Sequence, residues 1–118
     1  MPSIFAAAPP LDSLKALLVK APARLGRTGQ ELSIQISDVS RAHFYAPSVR
    51  DVFIRLLDED DRSSNPNLVG KLNRTMYGTL DAAAQWAAHY AGILIKAGFR
   101  RGRASPCHFY HPSRDLWV

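Results

Sequence analysis

The chain has 118 residues, 15 Lys and Arg against 10 Asp and Glu, a net charge of +5 and a hydrophobic share of 47%. That length holds one small domain or a piece of a larger protein, and the apolar share excludes a disordered tail. No apolar run nears the roughly 20 residues needed to span a bilayer, the first ten residues lack the basic start of a secretory signal, and the lone Cys107 forbids an intrachain disulfide. The expectation is an intracellular protein that does not engage a membrane.

Pro9-Pro10 precedes a stretch in which Leu11, Leu14, Leu17 and Leu18 share one helical face. This spacing predicts a helix of about three turns from Leu11 to Lys20, with Pro10 suited to its first turn. Pro22 to Gly29 reads as a basic, Gly-containing connector. Leu32, Ile34 and Ile36 then alternate with Ser33, Gln35 and Ser37, the pattern of a half-buried strand with Asp38 at its end. Ala42, Phe44 and Tyr45 follow in a short turn or helix. Val52 to Leu57 and Leu68 to Leu72 read as a hairpin, joined by a polar loop over Asp58-Glu59-Asp60-Asp61 and Ser63 to Asn67.

Thr79 can cap a helix that starts at Leu80 and runs to Lys96, with Gly98 as its stop. Trp86, Tyr90, Ile93, Leu94 and Ala97 make its expected buried face. Cys107 to Tyr110 and Leu116 to Val118 read as a last hairpin around His111 to Arg114. Helices and strands segregate, so the expected class is α+β, with antiparallel strands backed by a long helix.

Asp38 is the carboxylate of most interest. At a strand end it can hold a hard cation such as Mg2+ through oxygen, or it can cap the following turn. Asp58 to Asp61 lacks the alternating ligands and central Gly of a calcium loop and reads as a solvated loop. Cys107, His108 and His111 have no second ligand pair at zinc-finger spacing, so Cys107 reads as a small buried residue. Arg100, Arg101 and Arg103 form a compact basic run, open to a phosphate backbone or simply a solvated loop tip. Tyr77-Gly78 is a turn where backbone can approach a nucleotide closely.

Asp38-Val39-Ser40-Arg41-Ala42-His43-Phe44-Tyr45-Ala46 resembles the first catalytic motif of the reverse transcriptases of copia-type retrotransposons. Leu72 to Trp86, with Tyr77-Gly78, Ala82 and Trp86, resembles that family's Leu-Tyr-Gly-x-x-x-Ala-x-x-x-Trp stretch. Gly98-Phe99 and Ser105-Pro106-Cys107-His108-Phe109 resemble its next segment, and Pro9-Pro10-Leu11 its preceding one. The resemblance spans residues 3–118. It implies a partial polymerase palm and fingers, with a fingers remnant over about 3–30 and a palm over about 31–118.

The activity implied is RNA-directed DNA synthesis through two metal ions. Asp38 would be the first catalytic, Mg2+-binding carboxylate. Val39, His43, Tyr77 and Gly78 would face the incoming deoxynucleotide triphosphate. Arg100, Arg101 and Arg103 would meet the template-primer. The sequence departs from the family in three places. His43 stands where an aromatic residue is usual. Leu80 stands where a basic residue is common. The family's hairpin with two adjacent aspartates is missing, since Asp60-Asp61 precede Tyr77-Gly78 instead of following it. The expectation is therefore a fragment of a retroelement polyprotein that does not polymerise by itself. The alternatives are a non-enzymatic remnant binding nucleic acid or protein, and an unrelated basic interaction module.

Overall fold

The computed structural model describes residues 6–21 and 31–118. The fold is α+β, with two α-helices and two small antiparallel sheets among the described residues. The chain divides into two compact units, one over Ser40–His89 and one over Ala6–Val39 and Tyr90–Val118. The connector expected at Pro22 to Gly29 lies outside the described residues, as does much of the segment expected to be a fingers remnant.

Helix α1 (Leu11–Lys20) forms where the leucine spacing places it, with Pro10 at its N-cap, Asp12 in its first turn and Lys20 in its last. Both charges complement the helix dipole. Leu11, Leu14 and Leu18 nevertheless stay exposed, and Leu17 is half-buried.

The strand expected over Leu32 to Ser37 does not form. Residues 31–39 carry no regular structure, and Ile36 is 93% exposed. Alternation specifies which face a strand buries, but a strand also needs a neighbour for its N–H and C=O groups. Among the described residues no strand pairs with this segment. Asp38 therefore ends an irregular segment, not a strand.

Within the first unit, β1 (Phe53–Arg55) and β2 (Val69–Lys71) make the expected hairpin, with Phe53 opposite Lys71, Ile54 opposite Gly70 and Arg55 opposite Val69. Gly70 leaves room for Ile54, since a Cβ there would meet its side chain at 3.3 Å. The acidic loop is a short 3-10 turn over Asp61–Ser64, capped by Asp60, which accepts from the backbone N–H of Arg62 at 3.0 Å.

Helix α2 spans Ala82–Lys96, two residues shorter at its start than the sequence suggests. Thr79 does not cap it. Its hydroxyl turns back to donate to the carbonyl of Met76 at 2.8 Å, so residues 76–81 form a turn first. The expected buried face is also corrected. Ala82 and Ala91 are buried, and Trp86, Tyr90 and Leu94 are half-buried, but Ile93 and Ala97 are exposed. This helix is apolar nearly all round, so its periodicity does not single out one face.

At the other end of α2, Gly98 takes φ +95° and closes the helix. Gly98 N–H donates to Ile95 and Phe99 N–H to Leu94, which is the Schellman arrangement.

The second unit's sheet has the order β3 (Arg100–Arg101), β4 (Phe109–His111), β5 (Leu116–Trp117), all antiparallel. Arg100 and Arg101 are thus strand residues paired with Tyr110 and Phe109, not a loop tip. The run lacks strand character in sequence and pairs because the Gly98 turn delivers it against β4. Phe109 and His111 are buried on one face of β4, where Tyr90 meets Phe109 edge-on at 6.1 Å and Phe99 meets His111 edge-on at 5.1 Å. Tyr110 points to the other face by the alternation of a strand. Among the described residues the buried apolar core is Ala21, Ala46, Ala82, Ala91 and Phe109, and no large side chain is completely enclosed. No described helix is long and apolar enough to cross a membrane.

Candidate nucleotide-facing site

In the first unit two segments distant in sequence are joined backbone to backbone. Arg41 sits at φ +55° and starts a 3-10 turn over Ala42–Tyr45. Ala46, fully buried, accepts from Thr75 N–H at 2.9 Å, and Ser48 N–H donates to Asn73 at 3.2 Å. Arg74 adds a guanidinium bond to the carbonyl of Tyr45 at 2.8 Å, and the Thr75 hydroxyl donates to the carbonyl of His43.

This joining brings His43 onto Tyr77. Their rings stack with centroids 4.2 Å apart and planes 22° apart, and Phe44 meets Tyr77 edge-on at 5.6 Å. Aromatic contacts of this kind contribute about 0.5–1.5 kcal/mol each. His43 Nδ1 is enclosed and has no hydrogen-bond partner. Tyr77 keeps 51% of its surface exposed. Beside it Gly78 takes φ +87°, and among the described residues nothing beyond its chain neighbours lies within 4 Å of where a Cβ would stand. The result is an aromatic surface next to bare, open backbone.

The turn is anchored from below. Asp81, buried, accepts from Arg50 Nε at 2.9 Å and from Arg50 Nη2 at 3.0 Å. The Arg50 hydrogen bonds hold the Asp81 carboxyl below the ordinary carboxylate value, outweighing the opposing effect of burial. The two residues are 31 apart in sequence, and no local pattern signals the pair. The contact of His43 with Tyr77 likewise has no local pattern behind it, although the resemblance directs both residues toward the incoming nucleotide.

Asp38 and Val39 belong to the other unit, on the irregular segment 31–39, and both are exposed. Arg101 Nε donates to the carbonyl of Pro106 at 2.6 Å, and its guanidinium lies 5.7 Å from the Phe109 ring centre. Arg100 and Arg103 are exposed on β3 and on the turn that follows it.

Asp60 is held by Arg62. Side-chain and backbone hydrogen bonds from Arg62 lower its carboxyl to about 2, and Asp58 pairs with Arg55 at 3.1 Å. The Cys107 thiol donates to the carbonyl of Ala7 at 3.1 Å, and His111 packs against Phe99. Among the described residues no three His, Cys, Asp or Glu side chains gather as a metal site. Compared with known proteins, the chain matches no family model, no curated protein and no solved structure.

Proposed function

We propose that this chain is the nucleotide-facing part of a copia-type reverse transcriptase. It binds deoxynucleotide triphosphates at the Tyr77-Gly78 turn and does not polymerise DNA by itself. The observation that supports this reading most is the stacked pair of His43 and Tyr77 beside the open backbone of Gly78. The resemblance assigns those three residues to the incoming nucleotide from two separate motifs, and in this fold they share one surface. A base can lie on the exposed Tyr77 ring, while a sugar or phosphate approaches the bare backbone at Gly78.

Asp38 would supply one carboxylate to Mg2+, whose chemistry in this family is to activate the primer hydroxyl and stabilise the leaving pyrophosphate. The function proposed for residues 40–89 is nucleotide binding at the Tyr77-Gly78 turn.

The test is a titration of a fluorescent deoxynucleotide triphosphate followed by anisotropy. Tyr77→Ala is expected to weaken binding at least about 5-fold, the lower end of what a lost base stack costs, while Tyr77→Phe retains it. Unchanged affinity in Tyr77→Ala would overturn the reading. A primer-template extension assay run alongside is expected to show no magnesium-dependent product.

A further inference from the structure

We propose that residues 31–37 are a self-complementary docking strand, and that its partner is the same segment of a second copy of this chain. The two segments pair antiparallel about a two-fold axis at Ile34. This interface stands on residues that take no part in the nucleotide binding above.

The segment has the pattern of a strand and lacks a neighbour. Leu32, Ile34 and Ile36 alternate with Ser33, Gln35 and Ser37, so an extended backbone puts the three apolar side chains on one face. Ile34 is 51% exposed and Ile36 is 93% exposed. Gln35 Nε2 donates to Ser37 Oγ at 3.4 Å, so these two polar side chains share a side. Among the described residues no backbone N–H or C=O of residues 32–37 is hydrogen-bonded. Exposed isoleucines beside open backbone, with no Pro or Gly between them, form a template for another strand.

The pattern reads alike in both directions about Ile34, and this selects the occupant. In an antiparallel pair centred there, Ile34 meets Ile34 of the second copy, Leu32 meets Ile36, and Ser33 meets Gln35. Apolar side chains face apolar ones, and polar face polar. Glu31 meets Ser37, whereas a parallel in-register pair would set Glu31 against Glu31, and like charges directly opposite repel. A slip of one residue sets apolar against polar along the whole length. A slip of two sets Leu32 against Asp38 in one direction and Ile36 against Gln30 in the other. One register therefore satisfies the segment, and it is the symmetric one that an isologous dimer requires.

The same unit offers a cover for the apolar face of such a ribbon. A two-stranded ribbon is marginal until another element packs on it. Leu11, Leu14 and Leu18 of α1 are exposed in this unit and supply that apolar layer. The edge of β5 is a poorer partner. It is a two-residue strand, and beside it Val118 already exchanges both backbone hydrogen bonds with Phe109.

The test uses the chain carrying Leu116→Lys, which blunts the β5 edge, in sedimentation velocity over a concentration series. A reversible dimer is expected. Ile34→Lys puts like charges face to face at the axis and is expected to weaken the dimer at least about 10-fold. Ile34→Val is expected to keep it. Residue 34 is exposed and outside regular structure, so the monomer's circular dichroism should be the same in all three.

Disulfide trapping with oxidised glutathione, in a Cys107→Ser background, reads the register. Ile34→Cys alone should give a covalent dimer, as should Leu32→Cys mixed with Ile36→Cys. Leu32→Cys alone should not, because the two copies of residue 32 lie four positions apart along the ribbon, about 14 Å. That is beyond the roughly 7 Å a disulfide can bridge. A monomer at every concentration would overturn the proposal. So would a dimer that Ile34→Lys leaves unweakened, or Leu32→Cys cross-linking with itself as readily as with Ile36→Cys.

Discussion

Placing a methyl group at Gly98 isolates the physical cost of the turn that delivers β3 to its sheet. Gly98 has φ +95°, and an ideal Cβ there falls 2.8 Å from His111 Nε2. A left-handed backbone costs an L-residue about 1–2 kcal/mol. The contact lies well inside the ordinary separation of about 3.5 Å. His111 is buried, with Phe99 edge-on to its ring and Ser113 Oγ 3.3 Å from Nδ1. It has little freedom to retreat, so overpacking adds about 1–3 kcal/mol. Gly98→Ala should therefore destabilise by about 2–5 kcal/mol.

Gly78 is the matched control. Its φ is +87°, but among the described residues no atom beyond its chain neighbours lies within 4 Å of its would-be Cβ. Gly78→Ala should cost only the backbone part, about 1–2 kcal/mol. Urea unfolding followed by circular dichroism measures both. A double-mutant cycle with His111→Ala then reads the contact directly. The double variant should be about 1–3 kcal/mol less destabilised than the sum of its singles. A coupling within about 0.5 kcal/mol of zero would refute the contact between residue 98 and the imidazole.

Three further outcomes follow from the same geometry. Asp81 is held below its ordinary value of 3.8 by Arg50, so its contribution to stability is present above that value and lost as pH falls below it through the lowered one. Asp81→Asn should flatten the fall in stability over that acid window, and an unchanged pH profile in urea melts would contradict the pairing. Leu116, Trp117 and Val118 are exposed along an edge of β5 that pairs with no other strand among the described residues, so the isolated chain should self-associate at high concentration. Light scattering should show this, Leu116→Lys should reduce it, and a monodisperse monomer at high concentration would contradict it. Thr75→Val removes the hydroxyl bond to His43 and should loosen the stacked pair, seen as weaker nucleotide binding with little change in helix content.

What could be read from sequence divides by the range of the interaction. α1, the β4–β5 hairpin and the Gly98 stop follow from spacing and turn chemistry within about ten residues, and the β1–β2 hairpin from two apolar runs either side of one polar loop. Elements that need a distant partner did not follow in the same way. The alternation at Leu32, Ile34 and Ile36 is clear, yet it produces no strand without a neighbour. Arg100-Arg101 has no strand pattern, yet it becomes β3 because β4 presents a free edge beside it. Thr79 has the chemistry of a cap, but its hydroxyl finds the carbonyl of Met76 first.

The candidate site shows the same division. Tyr77 and Gly78 stand out as a turn, and His43 stands out through the motif that begins at Asp38. Their meeting depends on Thr75 and Arg74 bonding to residues about 30 positions earlier, and that has no local signature. The bidentate pair of Arg50 and Asp81 is hidden for the same reason. An apolar helix such as α2 conceals its packing differently, because most of its faces carry similar residues.

The most direct test of the central claim is nuclear magnetic resonance of the protein with its aromatic rings labelled, titrated with deoxynucleotide triphosphate. The ring resonances of His43 and Tyr77 should shift together and saturate, with intermolecular contacts from the base to the Tyr77 ring. Saturable binding that leaves both rings unmoved would contradict it.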